Sequence, residues 1–334
     1  MKHERIRSDH DTNLLRIIAC FFVVVIHASY PDGAQAYFFR ALGAFSVPVF
    51  MMISGYYMLR RQPDPGKLLK KCGRLFLLLL FWSAFYYLYE VITGARSYGG
   101  VWALICYLLT EPAHLWYLYA AIALYALTPV LFVFCRAATR QEYRYALVLS
   151  FLLGSVLFTA LRAGCFPVLE TVAEKMKLND MCGSVFCYLF GGYLQRWGVK
   201  RQRFFYILGG AGTLLTVLGT FFAGRSTTGD PLFLSFFAPG ALAAAMGVYT
   251  GVQAFYSRHA PPGARSRRLI QELAGCTLGI YLMHPAVILA LQNTAVTGAL
   301  PAILIPLRAL AVFIFCGAAV WLLRKIPFLR WPVS

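Results

Sequence analysis

The fold class this sequence predicts is all-α: a polytopic transmembrane helix bundle of about ten spans, with residues 1–334 forming one integral-membrane unit. Three observations predict it. Of 334 residues, 60% are hydrophobic and only 13% charged. Apolar runs of roughly 20 residues recur along the chain, each long enough to cross a hydrocarbon core of about 30 Å. The 31 Lys and Arg gather in alternate intervening segments, 23 on one predicted side against 6 on the other, with Arg16 and Arg308 inside spans. By the positive-inside rule both termini are then cytoplasmic. The formal charge of +18 therefore reports topology, and no nucleic-acid partner is expected.

The predicted spans are 13–30, 37–59, 74–92, 114–134, 144–163, 182–196, 203–222, 232–256, 270–292 and 301–323. The first follows Lys2, Arg5 and Arg7 and carries Arg16 and His27. Its basic start, apolar core and Ala34-Gln35-Ala36 imitate a signal peptide, but the charge alternation fits an uncut first span. The second contains Val47-Pro-Val-Phe-Met-Met-Ile-Ser-Gly-Tyr56, whose small Ser54-Gly55 pair allows close packing of helices or of a ligand chain. Pro63 and Pro65 make 60–66 a turn. Lys67, Lys70, Lys71 and Arg74 then lead at helical spacing into the third span, which places Glu90 near its outer end.

His114 opens the fourth span, with Trp116 beside it, and Arg136, Arg140 and Arg144 mark the inner turn into the fifth. The outer segment 163–181, with Glu170, Glu174, Lys175, Lys177 and Asp180, reads as a short amphipathic surface helix. Cys165 and Cys182 bracket it and can pair if the exterior is oxidising. The nine cysteines show neither a CxxC pair nor zinc-like spacing, so they read as small apolar residues and no metal is expected. The sixth to eighth spans are separated by further basic inner turns, the segment 260–268 is irregular, the ninth span carries His284 and the tenth Arg308. No internal repeat of the kind that builds many transporters is visible.

The chemistry-bearing residues are the ionisable ones inside spans, which are costly there and default to function. Arg16 and His27 are eleven helical steps apart, so they share one face and stand roughly 16 Å apart along the axis. His27 lies about 21 Å in from the cytoplasmic side, His284 at a similar depth in a span running the same way, and His114 at the outer edge. Interfacial or hydrogen-bonded helix histidines are the ordinary alternative for the last two. A neutral imidazole within hydrogen-bond reach of a hydroxyl can act as general base. Glu90 and Asp32 are the carboxylates nearest in depth to orient it. Arg16 can snorkel to the headgroups or clamp an anion, since guanidinium suits phosphate. Lys67, Lys70, Lys71 and Arg74 are either ordinary positive-inside charge or part of the same anion site. Arg308 sits about 10 to 12 Å inside the last span, facing the bundle or a wet cavity, with Glu90 as depth-compatible counter-ion.

Five segments in order resemble the acyltransferase-3 family of bacterial membrane O-acyltransferases. Arg16, ten residues and His27 are similar to its first-span signature, and Val47-Pro-Val-Phe-Met-Met-Ile-Ser-Gly-Tyr to its second-span pattern. Lys71-Cys-Gly-Arg74 is similar to its basic-x-x-Arg motif, with Lys where Arg is common. His114-Leu-Trp-Tyr-Leu118, followed by Tyr125 and Thr128-Pro129, is similar to its His-x-Trp-x-Leu segment. Thr277-Leu-Gly-Ile-Tyr-Leu-Met-His-Pro285 resembles its penultimate helix. Ala120-Ala121 stand where members with larger outer domains carry Glu, so the chain looks like the compact, stand-alone type, in which a second transfer step would need another protein.

The resemblance implies transfer of an acyl group, usually acetyl from cytoplasmic acetyl-coenzyme A, to a hydroxyl of an extracytoplasmic or polyprenyl-linked saccharide. His27 would be catalytic, either as base toward the acceptor or as transient acyl carrier. Arg16, Lys71 and Arg74 would bind the donor. Ser54, His114, Trp116, His284, Glu90 and Arg308 are the further candidates for lining the site. A bacterial inner-membrane enzyme is thus expected; a transporter or lipid-linked sugar flippase is the competing class, and a membrane sensor the third.

Overall fold

The computed structural model describes residues 2–29, 33–110, 113–164, 168, 180–199, 201–224, 231–259, 262–292, 301 and 304–333, without the side chains of 2–10, 113 and 180. Among the described residues the α-helices are α1 (Lys2–Ala28), α2 (Ala34–Gly43), α3 (Ser46–Met58), α4 (Pro65–Ile92), α5 (Gly100–Thr110), α6 (Trp116–Ala137), α7 (Arg140–Phe151), α8 (Phe158–Arg162), α9 (Asp180–Trp197), α10 (Gln202–Phe222), α11 (Pro239–Arg258), α12 (Ala264–Gln292) and α13 (Ile305–Leu323). The described residues contain no strand. The chain is thus an all-α bundle. Among the described residues, eight stretches are long and apolar enough to cross a membrane: Asp11–Ala28, Ala34–Met58, Pro65–Ile92, Trp116–Ala137, Arg140–Arg162, Gln202–Phe222, Ala264–Gln292 and Ile305–Leu323. They fall on eight of the expected spans. The other two expected spans are occupied by α9 and α11, whose many small residues are buried within the bundle.

Local chemistry explains where the helices depart from uniform spans. The second expected span is broken at Ala44–Phe45. Pro48 has no N–H to return to the Ala44 carbonyl and its ring would crowd that oxygen, so a new helix starts instead. The fifth contains a π-helical stretch, Leu152–Leu157, that brings Gly154 against the backbone of Cys182 and Gly183 in α9. The eighth is helical only from Pro239, and 231–238 runs irregularly into the bundle. Pro239 fits a first helical position, where no N–H is needed. α4 begins early because the Asp64 side chain accepts from the Lys67 N–H at 3.1 Å with Pro65 in the first turn. The Lys67 N–H and ammonium hold the Asp64 carboxyl below its ordinary range. The short helix α5 lies where no element was expected, packed on α4. Most of the outer segment 163–181, including Cys165, lies outside the described residues, whereas Cys182 is a free thiol.

α1 is the hub: it packs against α2, α3, α11, α12 and α13. Leu15, Ala19 and Val23 join a core with α3, α6, α9 and α11. Cys20, Val24, Val25 and Ala28 join a second with α4, α12 and α13. Around these cores the outer faces stay apolar, as with Leu88, Val130, Ile207 and Phe315, which suits a hydrocarbon solvent.

Besides the approach at Gly154, two described pairs of α-helices cross at backbone distance. On α3 and α9, a Cβ on Gly55 would strike the Tyr188 carbonyl and one on Gly191 the Met52 carbonyl. On α10 and α11, Gly209 and Gly247 face each other in the same way. Without a hydrophobic force between helices in lipid, such small-residue crossings supply packing. The first fixes α3, which carries Val47, Phe50 and Ser54 into the interior. Gly55→Ala is expected to destabilise the detergent-solubilised protein by about 1–3 kcal/mol, read as a lower thermal midpoint. Gly251→Ala, whose Cβ would meet only Tyr206 at 3.8 Å, is expected to stay within about 0.5 kcal/mol of the parent.

Candidate active site

Because α1 is continuous from Lys2 to Ala28, Arg16 and His27 do share one face. They emerge along the seam between the two cores and open into two different cavities. The one on the predicted cytoplasmic side, termed inner, is about 350 Å³ and is lined by Arg16 and by mostly apolar walls that include Val23, Val47, Phe50, Ser54 and Tyr281. α6 contributes Tyr117, Ala121 and Tyr125, four residues apart and so on one face. Ser54 lines the same cavity as both tyrosines. The Arg16 guanidinium stands 5.5 Å from the ring centroid of Tyr57, whose hydroxyl is bonded to Thr12.

The outer cavity, about 830 Å³, is lined by His27, His114 and Trp116 together with Arg40, Ser235, Phe236, Pro285 and Gln292. His284, outside the lining, packs against both histidines. The His27 ring lies 4.9 Å from that of His284 and 6.4 Å from that of His114, edge to face in both cases. Nδ1 of His284 is 3.0 Å from the Ile280 carbonyl. A carbonyl only accepts, so this nitrogen carries the proton and Nε2 the lone pair. Nδ1 of His27 and Nε2 of both His114 and His284 are buried without a hydrogen-bond partner, which in a native interior calls for a functional explanation. His114 stands on the 3₁₀ turn Ala113–Leu115, held by the Tyr281 hydroxyl donating to its carbonyl at 2.5 Å and by Tyr86 packed 4.6 Å from its ring.

Positive charge gathers beside His27. Arg308 donates to the Ala28 carbonyl, and Arg40 to the Ser29 carbonyl at 3.0 Å. Both guanidinium groups thus cap the carbonyl end of α1, where the helix dipole is negative. Their field favours an oxygen that gains negative charge in the adjoining cavity.

The other expected residues divide. Ser54 lines the inner cavity, His114 and Trp116 the outer one, and His284 backs His27. Glu90 does not join them: its carboxylate pairs with Arg96 at 2.8 Å and accepts from Tyr107 at 2.8 Å. It is neither the counter-ion of Arg308 nor the orienting group of His27, because α5 and the turn before it bring it nearer partners. Asp32 lies outside the described residues. Arg74 is exposed, and Lys71 sits at the exposed rim with its amine 3.4 Å from the Met58 sulfur. Leu75, one turn on, is the α4 residue that reaches the inner cavity.

Arg40, Tyr117, Tyr125, Phe236 and Tyr281 were not among the expected site residues, although the three tyrosines lie in the motif segments 114–129 and 277–285. Spacing held a signal for two, since Tyr117 and Tyr125 repeat on one helical face. Arg40 resembled ordinary outer-loop charge, and Phe236 stacks on Trp116 at 5.7 Å and 27° only because 231–238 folds inward.

A family model described as an acyltransferase domain matches residues 9–324, nearly the whole chain. No curated protein and no solved structure matches. The matched region includes both cavities and every residue that lines them. Arg308→Ala removes a charge-assisted bond from the end of α1, and is expected to cost about 1.5–3 kcal/mol and to lower the thermal midpoint in detergent.

Proposed function

The chain belongs to the acyltransferase-3 family and is an acyltransferase, and we propose that it moves an acyl group, acetyl in the simplest case, from a cytoplasmic acyl-coenzyme A to a hydroxyl of an extracytoplasmic or lipid-linked glycan. The observation that carries this reading is that Arg16 and His27 occupy one face of α1 yet line separate cavities. The roughly 16 Å between them is of the order of an extended pantetheine arm. Arg16, with Lys71 and Arg74 at the rim, holds the donor's phosphates through charge-assisted hydrogen bonds. The apolar walls take the methylene units of the arm, and the hydroxyls of Ser54 and Tyr125 face its amides.

His27 then acts on the acceptor. Its neutral imidazole takes the proton of the attacking hydroxyl as the oxygen bonds to the thioester carbonyl, and returns it to the sulfur as the carbon–sulfur bond breaks. The products are an ester and free thiol. Arg40 and Arg308 provide the positive field for the oxyanion. The stacked Trp116 and Phe236 rings offer a flat apolar face beside Ser235 and Gln292, which suits a sugar ring with its mixed CH and OH surfaces. We place the protein in the bacterial cytoplasmic membrane with ten spans and both termini cytoplasmic. The sequence left transport open as a class; family membership favours group transfer instead.

The assay supplies labelled acetyl-coenzyme A to membranes with candidate glycans and follows label in the glycan. His27→Ala is expected to reduce transfer by about 100-fold or more. Arg16→Ala is expected to raise the KM for the donor by about tenfold or more, the loss of a charged hydrogen bond. Full transfer by His27→Ala would remove His27 from the reaction.

A further inference from the structure

The two cavities are separated by very little protein. On α1, Val23 faces the inner cavity and Ile26 and His27 the outer. Ala44 faces the outer and Val47 the inner, on either side of the break between α2 and α3. On α6, Trp116 is outer and Tyr117 inner; on α12, Leu278 and Tyr281 are inner and Pro285 outer. Each element changes sides within about one helical turn, so the partition is about 5 Å thick. That is one layer of side chains.

Tyr281 occupies the middle of that layer. Its ring centroid is 5.8 Å from that of Tyr117 on the inner side, and 6.5 Å and 6.2 Å from those of His114 and His284 on the outer. It packs against both hydrophobic cores, as does Phe50. Its hydroxyl is tied to the His114 carbonyl. The helix beneath it is weakened at the same point: Pro285 has no N–H for the Tyr281 carbonyl. A proline-weakened turn is where a helix most readily bends.

We infer that Tyr281 is a gate between the donor and acceptor halves of the site, latched to the His114 carbonyl at rest and displaced when the donor's thioester advances to His27. The inference rests on the proposed acyl transfer for its chemistry. Its function is to keep outer water from the thioester. Without the gate, water from the outer cavity adds to the thioester carbonyl, the carbon–sulfur bond breaks, and a carboxylic acid and free coenzyme A result with no acceptor consumed. Excluding water from a reactive group in this way is a general requirement of transfer enzymes. Tyr281 is thus a positioning residue, which also holds the turn bearing His114.

Two measurements test the gate, and only one depends on catalysis. Leu278→Cys places a thiol in the inner cavity, three residues below Tyr281, and a membrane-impermeant maleimide is applied from the face that opens on the His27 cavity. The thiol is expected to be protected with Tyr281 in place and to react about tenfold faster or more when Tyr281→Ala is added; equal rates would overturn the gate. Acceptor-free hydrolysis of acetyl-coenzyme A, as a ratio to transfer, is expected to rise by about tenfold or more in Tyr281→Ala, and by less in Tyr281→Phe, which keeps the ring but loses the latch. An unchanged ratio in both, with folding shown by a single peak in size-exclusion chromatography, would overturn the guarding role. If the parent protein transfers to no acceptor, the acyl-transfer reading fails and the labelling result alone decides the partition.

Discussion

The rigidity of α1 is the constraint on which the rest depends. One unbroken helix sets Arg16 and His27 on a common face at a spacing that no loop motion alters. In lipid, such groups persist only where protein or a wet cavity surrounds them. The bundle answers by packing one core on each side of α1 and leaving the seam between them open as two cavities. Arg40 and Arg308 then close the helix's carbonyl end beside His27, so the element that positions the two residues is itself held at its outer tip.

The surrounding helices owe their positions to small residues and prolines more than to large apolar ones. Gly55 and Gly191 let α3 and α9 meet at backbone distance, which brings Phe50 and Ser54 to the inner cavity. Pro48 breaks the second span so that α2 and α3 can serve different cavities, with Arg40 on the first and Val47 on the second. Pro285 does the same for α12 without ending it, placing Tyr281 in the inner cavity and itself in the outer. The side chains that result are divided between the cavities: Arg16 with narrow, mostly apolar walls in one, and imidazoles, the Arg40 guanidinium and an aromatic face in the wider other.

Much of this was legible in the sequence, and the reasons differ by residue. The all-α bundle followed from hydropathy, because lipid forces backbone polar groups into helices. The Arg16–His27 face followed from helical periodicity alone. His284 and His114 were found by depth, which topology supplies. Glu90 was misplaced for the same reason: depth gives one coordinate, and its real partners Arg96 and Tyr107 depend on the turn after α4 and on α5. Tyr281 and Arg40 were hidden because rotation about each helix axis is set by packing, which a single sequence does not encode. Phe236 was hidden because 231–238 is apolar enough to read as helix.

On the proposed reaction, donor and acceptor meet across the bilayer at the two ends of one helix face. Sidedness tests it most directly. In sealed inside-out membrane vesicles, whose outer surface is the cytoplasmic face, labelled acetyl-coenzyme A added outside is predicted to acylate glycan trapped in the lumen, and glycan added outside is predicted to remain unlabelled. Efficient labelling of glycan on the same side as the donor, with none in the lumen, would rule out transfer across the bilayer.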